Sequence, residues 1–201
     1  MRLYRAPYST NVERVALALA HKGVEVESVV ISPDDRSLVE AVSGQPLVPV
    51  LEDDGVVVAD SMAIVAYLER RFPDRPLYPA DPARAAELAV FVDWFDGVWK
   101  VAPNAIADAL EARASPDPEL PASMAAALDR FEALLAGRDH LLGDDFSAAD
   151  CAAFPFLKYA LRRDPADDEL FHRVLEDHQQ LGDDHPRLAA WIERVDVRPR
   201  V

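Results

Sequence analysis

Two hydrophobic periodicities divide the chain. Up to about residue 73, short apolar runs alternate with helical segments; beyond about residue 83 only the helical period of three to four survives. Leu3-Tyr4 and their neighbours read as a strand that Pro7 stops. Val12, Val15, Ala16 and Leu19 then recur at helical spacing, and Gly23 closes that segment after Lys22. Val24 to Ile31 interleaves valines with Glu25 and Glu27 as a second strand, and Asp34 to Val42 is a short helix or irregular link. Leu47-Val48-Pro49-Val50-Leu51 predicts a third strand, and Asp53-Asp54-Gly55 predicts a hairpin turn into Val56-Val57-Val58. A helix opening at Asp60-Ser61, with Ile64, Val65 and Leu68 on one face, ends before Pro73. The order is βαβαββα.

Residues 74–82 form a proline-rich connector, and residues 83–201 read as helix throughout. A long helix is expected from Ala83 to Arg113, kinked at Pro103, with Leu88, Phe91, Val92, Phe95 and Trp99 on its apolar side. Further helices are expected after Pro121 as far as Gly137, from Ser147 to Leu161 across Pro155, from Leu170 to His178, and from Pro186 to Val195. The expected organisation is therefore an α/β domain over 1–73, a linker over 74–82 and an all-helical domain over 83–201.

Charge narrows the function. The formal net charge of −15 and the lack of a basic stripe exclude binding to a nucleic-acid backbone. No apolar stretch approaches the roughly 18 residues of a membrane span, and no secretory leader is read at the N-terminus. Cys151 is the single cysteine, which suits a reducing cytoplasm. It lies within the most apolar helical segment and reads as a buried small hydrophobe rather than a nucleophile. His172 and His178 are six apart, so no metal spacing arises, and no Gly-x-Ser-x-Gly elbow supports a hydrolase triad.

Three stretches carry candidate chemistry. At Ala6 to Arg14 a strand turns into a helix, leaving unpaired N–H groups and a positive dipole end beside the Ser9 hydroxyl. Thr10-x-x-Glu13 fits a capping box, which would make Thr10 the cap and free Ser9 for another task. Pro49 inside an apolar run is either an edge proline in trans or a cis residue turning the Val48 backbone outward to pair with an extended peptide. Asp60-Ser61 is either a simple N-cap or a cradle for an amino-acid head group, Ser61 taking the carboxylate and Asp60 the ammonium. Trp94 and Trp99 are core residues on the plain reading, and on the other reading they line an apolar cleft. Ser147-x-x-Asp150 reads as a second capping box.

Taken together these pieces resemble the cytosolic glutathione S-transferases over nearly the whole chain. The resemblance rests on Ser9…Glu13-Arg14-Val15…Lys22-Gly23, Val48-Pro49-Val50-Leu51…Asp54-Gly55, Asp60-Ser61…Tyr67-Leu68, Phe146 to Asp150, and His185-Pro186…Trp191…Arg198-Pro199. It implies a thioredoxin-like N-terminal domain that binds glutathione as co-substrate, and a helical-bundle C-terminal domain supplying the electrophile pocket, here Trp94 and Trp99. It implies a cis Val48–Pro49 bond, Val48 pairing with the cysteinyl unit of glutathione, and Asp60 with Ser61 taking the γ-glutamyl group. Ser9 falls at the position of the catalytic serine of theta- and zeta-like members, with Tyr4 as the rival at the tyrosine position. A homodimer, a small-molecule electrophile and no metal are the further implications. Ser43-Gly44-Gln45-Pro46-Leu47 departs from the usual segment before Val-Pro, which bears on the glycyl end of the thiol and on which thiol is used. Isomerase or dehalogenase activity, or binding without catalysis, are the alternatives.

The chemistry asked of Ser9 is modest. A free thiol has a pKa of about 8.5, and lowering it by about two units takes roughly 2.7 kcal/mol of preferential thiolate stabilisation. A hydroxyl donating to the thiolate supplies about 1.5–3 kcal/mol and the helix end roughly 0.3–1. Ser9 acts as a donor in this scheme and keeps its proton.

Overall fold

The structure, a computed structural model, describes residues 1–201. The first unit spans Met1–Tyr78 together with Arg198–Val201. It contains β1 (Arg2–Arg5), α1 (Thr10–Lys22), β2 (Glu27–Val30), α2 (Ser37–Ser43), β3 (Val50–Asp53), β4 (Val56–Ala59) and α3 (Ser61–Arg71), in the predicted βαβαββα order. The sheet runs β2-β1-β3-β4, with β1 parallel to β2 and antiparallel to β3, and β4 antiparallel to β3. A parallel pair needs a long crossover, which α1 provides; the Asp53-Asp54-Gly55 turn suffices for the antiparallel one.

Alternation along the strands assigns the two faces of the sheet. Tyr4 and Val50 pack with Ile31 and with Val39 of α2. Leu3 and Leu51, paired in register, are fully buried on the opposite face, which falls to the packed helices α1 and α3. The outer strands show their edges in composition: Val30 on β2 and Val56 and Val57 on β4 stay exposed.

Helix α1 stops where the sequence says it should. Gly23 takes φ 67°, and its N–H returns to the Leu19 and Ala20 carbonyls, a turn that a side chain would strain. β2 is shorter than expected, and β3 begins at Val50 rather than Leu47. Pro49 has no N–H to offer a ladder, so the chain enters the sheet only after it.

The second unit, Pro79–Val197, is all helical: α4 (Pro82–Trp94), α5 (Val101–Glu111), α6 (Glu119–Leu134), α7 (Ala148–Leu157), α8 (Leu170–His178) and α9 (Pro186–Asp196). The expected continuous helix from Ala83 to Arg113 is broken, but not at Pro103. A π-turn at Phe95–Trp99 closes with the Lys100 N–H on the Phe95 carbonyl at 3.0 Å, and Pro103 sits in the first turn of α5, where its missing N–H is tolerated. The wide turn stacks Phe95 on Trp99, with ring centroids 4.5 Å apart, and both rings meet Phe131 and Phe156 edge-on.

Helix α7 is buried at every position. Its capping box forms as the sequence predicts, and Asp150 also accepts from the Leu141 N–H at 3.1 Å and from the Trp191 indole at 2.8 Å. Cys151, beside it, is fully buried. The last four residues leave the helical unit, to which the sequence reading had assigned them. Arg5 donates to the Val201 carbonyl (2.8 Å), Arg198 to the His21 ring (3.1 Å) and Arg200 to Glu13 (3.0 Å), and these bonds tie the tail to the first unit.

Candidate functional site

Strand register brings the three candidate stretches to one end of the sheet. β1 runs out at Arg5 toward Ser9, and its Tyr4 pairs with Val50, the first residue of β3. Val50 in turn pairs with Ala59, the last residue of β4. Val48–Pro49 and Asp60–Ser61 thus lie directly beyond this end of β3 and β4, and Ser9 follows the same end of β1 after Ala6, Pro7 and Tyr8. Two of the three open helices whose first-turn N–H groups face the same end.

Ser9, and not Thr10, is the N-cap of α1. Its Oγ accepts from the Val12 N–H at 3.3 Å, and its carbonyl receives the Glu13 N–H at 3.0 Å. The Thr10-Glu13 box expected from spacing does not form: Thr10 is buried as the first helical residue, and the Glu13 carboxylate is held by Arg200. A cap accepts through a lone pair, so Ser9 retains its hydroxyl proton to give to an acceptor beyond the helix end.

Tyr4 is placed differently. Its ring belongs to the α2 side of the core, 4 % exposed, and its hydroxyl donates to Glu52 Oε2 at 2.8 Å. That hydrogen bond to a carboxylate, together with burial, holds the Tyr4 phenol above its usual range.

The Val48–Pro49 peptide is cis. Pro49 is buried and Val48 half-buried, and the Val48 N–H and C=O make no hydrogen bond within the protein. A half-buried backbone pair with no partner is the feature an extended peptide can use.

Asp60 caps α3 through Oδ1, which accepts from the Ala63 N–H at 2.9 Å, while its carboxylate stays exposed. Its backbone sits at φ 77°, ψ 129°, a region that costs a non-glycine residue about 1–3 kcal/mol. Ser61 is 3 % exposed and accepts from Arg14 Nη1 at 3.2 Å. Arg14, 1 % exposed, is the site residue to which the sequence reading gave no role. It spans α1 and α3 and orients the Ser61 hydroxyl while leaving that group a proton to donate. The available signal was a cation directly ahead of the apolar run Val15 to Leu19, all of it buried in α1. Lys22 is the parallel case, buried against Glu69 at 2.7 Å and donating to the Phe72 carbonyl at 2.8 Å.

The two tryptophans do not share an opening. Trp94 lines an apolar groove of about 560 Å³ with Val90, Phe91 and Leu134. Trp99 lies inside the aromatic core, 5 % exposed, and its indole N–H has no partner.

A mixed four-stranded sheet with this order and a cis-proline just ahead of its inner strand β3, followed by an all-helical unit, defines the class: a thioredoxin-like domain joined to a helical domain. Comparison with known proteins makes the assignment specific. Residues 3–76 match the glutathione S-transferase N-terminal domain and residues 107–194 the C-terminal domain. The chain is 30 % identical over 208 aligned positions to the Escherichia coli glutathione S-transferase GstB, covering 96 % of this chain and 91 % of that one. It is 38 % identical over 74 residues to a probable maleylacetoacetate isomerase of Caenorhabditis elegans, 36 % of this chain and 35 % of that protein. Among solved structures, a glutathione S-transferase domain-containing protein of Marinobacter aquaeolei superposes with a TM-score of 0.78 at 27 % identity, covering 99 % and 98 % of the two chains. The chain belongs to the glutathione S-transferase family, and by class it is a glutathione-dependent transferase.

Proposed function

We propose that Ser9 donates its hydroxyl hydrogen bond to the glutathione thiolate and so prepares it for attack on a small electrophile, as in serine-type members of the family. The carrying observation is the pair of hydroxyls at this end of β1. Ser9 is an acceptor toward Val12 with its proton left over, whereas the proton of Tyr4 is committed to Glu52. In the same reading the Val48 backbone pairs with the cysteinyl unit of glutathione. Ser61, oriented by Arg14, meets the γ-glutamyl carboxylate, and exposed Asp60 meets its ammonium. Trp94 supplies an apolar face to the electrophile and Trp99 supports the helix from behind. A homodimer acting in the reducing cytoplasm completes the proposal, and sedimentation at micromolar concentration tests the dimer.

Comparison of Ser9→Ala with Ser9→Gly tests the donor. Both remove the hydroxyl, but glycine is nearly as good an N-cap as serine. Turnover is expected to fall at least tenfold in both variants while glutathione binding is nearly kept. Unchanged turnover transfers the role to Tyr4, and Tyr4→Phe would then be the inactive variant.

The likeness of a 74-residue stretch to a probable maleylacetoacetate isomerase favours one second reading, an isomerase that regenerates its thiol. Following glutathione through the reaction separates the two: a transferase consumes it, an isomerase returns it. A protein that binds without catalysis would show neither, and calorimetry with millimolar glutathione decides whether the thiol binds at all.

A further inference from the structure

We infer that a cleft at the C-terminal end of α1 is a binding site for a phosphate group, free or carried as a phosphomonoester. The cleft, about 310 Å³, is lined by Leu17, Ala20 and His21 of α1, by Arg75 beyond α3, and by Arg198 and Pro199 of the C-terminal tail. Three separated pieces of chain therefore build it. Helix α1 is 13 residues long, which puts the cleft roughly 20 Å from Ser9 and apart from the thiol site.

Cations gather here against the composition of the chain, which has 36 acidic residues to 21 basic ones. Arg75 Nη1 donates to the His21 carbonyl at 3.2 Å, and Arg198 Nη2 donates to His21 Nδ1 at 3.1 Å. No carboxylate lines the cleft. Lys22, next along α1, is neutralised by Glu69, and Arg200, two residues beyond Arg198, by Glu13. Arg75 caps the last turn of α1 and Arg198 ties the tail to it, and together they bring two guanidiniums to one cleft.

An arginine can only donate, so His21 Nδ1 presents a lone pair and the ring is neutral with its proton on Nε2. Burial, and after it the charges of Arg198, Lys22 and Arg75, push the His21 pKa below its usual value. An oxyanion between the two guanidiniums would reverse this electrostatic balance. Planar forks reaching in from two segments suit a tetrahedral dianion. Leu17, Ala20 and Pro199 leave an apolar side, and the volume exceeds what inorganic phosphate alone would fill.

The test is an NMR titration of the histidine ring protons, the His21 signal being identified by its loss in His21→Gln. Inorganic phosphate at 10 mM is expected to raise the His21 midpoint by about one pH unit, an opposite charge favouring the protonated ring. The other four histidines should stay in place. Binding should weaken at least tenfold in Arg75→Gln and in Arg198→Gln, with turnover kept. Phenyl phosphate binding tenfold tighter than phosphate would identify an organic ester as the ligand; equal affinity would identify free phosphate. An equal shift with sodium chloride at matched ionic strength, or a shift surviving in both arginine variants, overturns the site.

Discussion

A side chain with two hydrogen-bonding faces can hold a helix and serve a ligand at once, and Ser9 does the first without giving up the second. Spacing alone set Thr10 against Ser9 for the cap, because Thr10-x-x-Glu13 fits the box as a string of letters. What decided it is not local: Glu13 is drawn off by Arg200, 187 residues away. The tryptophans teach the same lesson. Trp191 and Trp99 are both buried, yet one indole donates to Asp150 at 2.8 Å and the other donates to nothing. Trp99→Phe should therefore change stability by less than about 1 kcal/mol, since it removes an unsatisfied donor along with some packing; Trp191→Phe should cost at least about 2, leaving a buried carboxylate short of a partner. Thermal melts of the two variants make the comparison.

His21 offers a third test at this scale. Its folded pKa lies below the ordinary value near 6.5, so above that pH neither folded nor unfolded chain carries the proton. As pH falls below it, the unfolded chain takes up a proton that the folded one refuses, and stability drops. The loss in melting temperature between pH 7.5 and 5.5 should be smaller in His21→Gln than in the unaltered protein, in phosphate-free buffer.

Elements were legible where a cap, a turn residue and a period agreed. Gly23, the Asp54-Gly55 turn and Ser147-x-x-Asp150 each placed a boundary correctly. The start of β3 and the break after α4 were not legible. A proline marks a place where a ladder or helix lacks a donor, but neighbouring residues choose where the chain adjusts. At β3 the strand waits until Val50; after α4 the adjustment comes as a π-turn that stacks Phe95 on Trp99, eight residues before Pro103 at its start. The α7 cap yields the sharpest prediction for an element. Asp150 is wholly buried and accepts from the Leu141 and Ser147 N–H groups, the Ser147 hydroxyl and the Trp191 indole. Asp150→Ala would strand these donors and should cost at least about 3 kcal/mol, or prevent folding, whereas Asp150→Asn keeps one acceptor oxygen and should cost visibly less. Denaturant titration of the two distinguishes a hydrogen-bonding role from a merely steric one.

For the whole molecule, the βαβαββα order along the chain and the change to all-helical structure followed from hydrophobic period together with its proline, glycine and turn boundaries. The return of the C-terminus to the first unit did not, because charged tail residues carry no periodic signal. Their bonds to Arg5, Glu13 and His21 lie in the structure only. Deleting residues 198–201 should lower the melting temperature by a few degrees, on the order of 1 kcal/mol for half-exposed links of this kind. The candidate site was legible in the same uneven way. Pro49 stands out as a proline inside an apolar run and Asp60-Ser61 as a helix start, while Arg14 acts through burial that only the assembled helices create.

One consequence of the packing of α7 concerns chemistry that the protein avoids. Cys151 is the chain's single thiol and is sealed in a helix with every residue buried. A catalyst that handles reactive thiolates and electrophiles exposes no thiol of its own to be alkylated or trapped as a mixed disulfide. Modification of Cys151 by a thiol reagent then becomes a clock for opening of the helical unit. Its rate in native buffer should follow that unit's unfolding equilibrium and quicken with Trp191→Phe and Asp150→Ala.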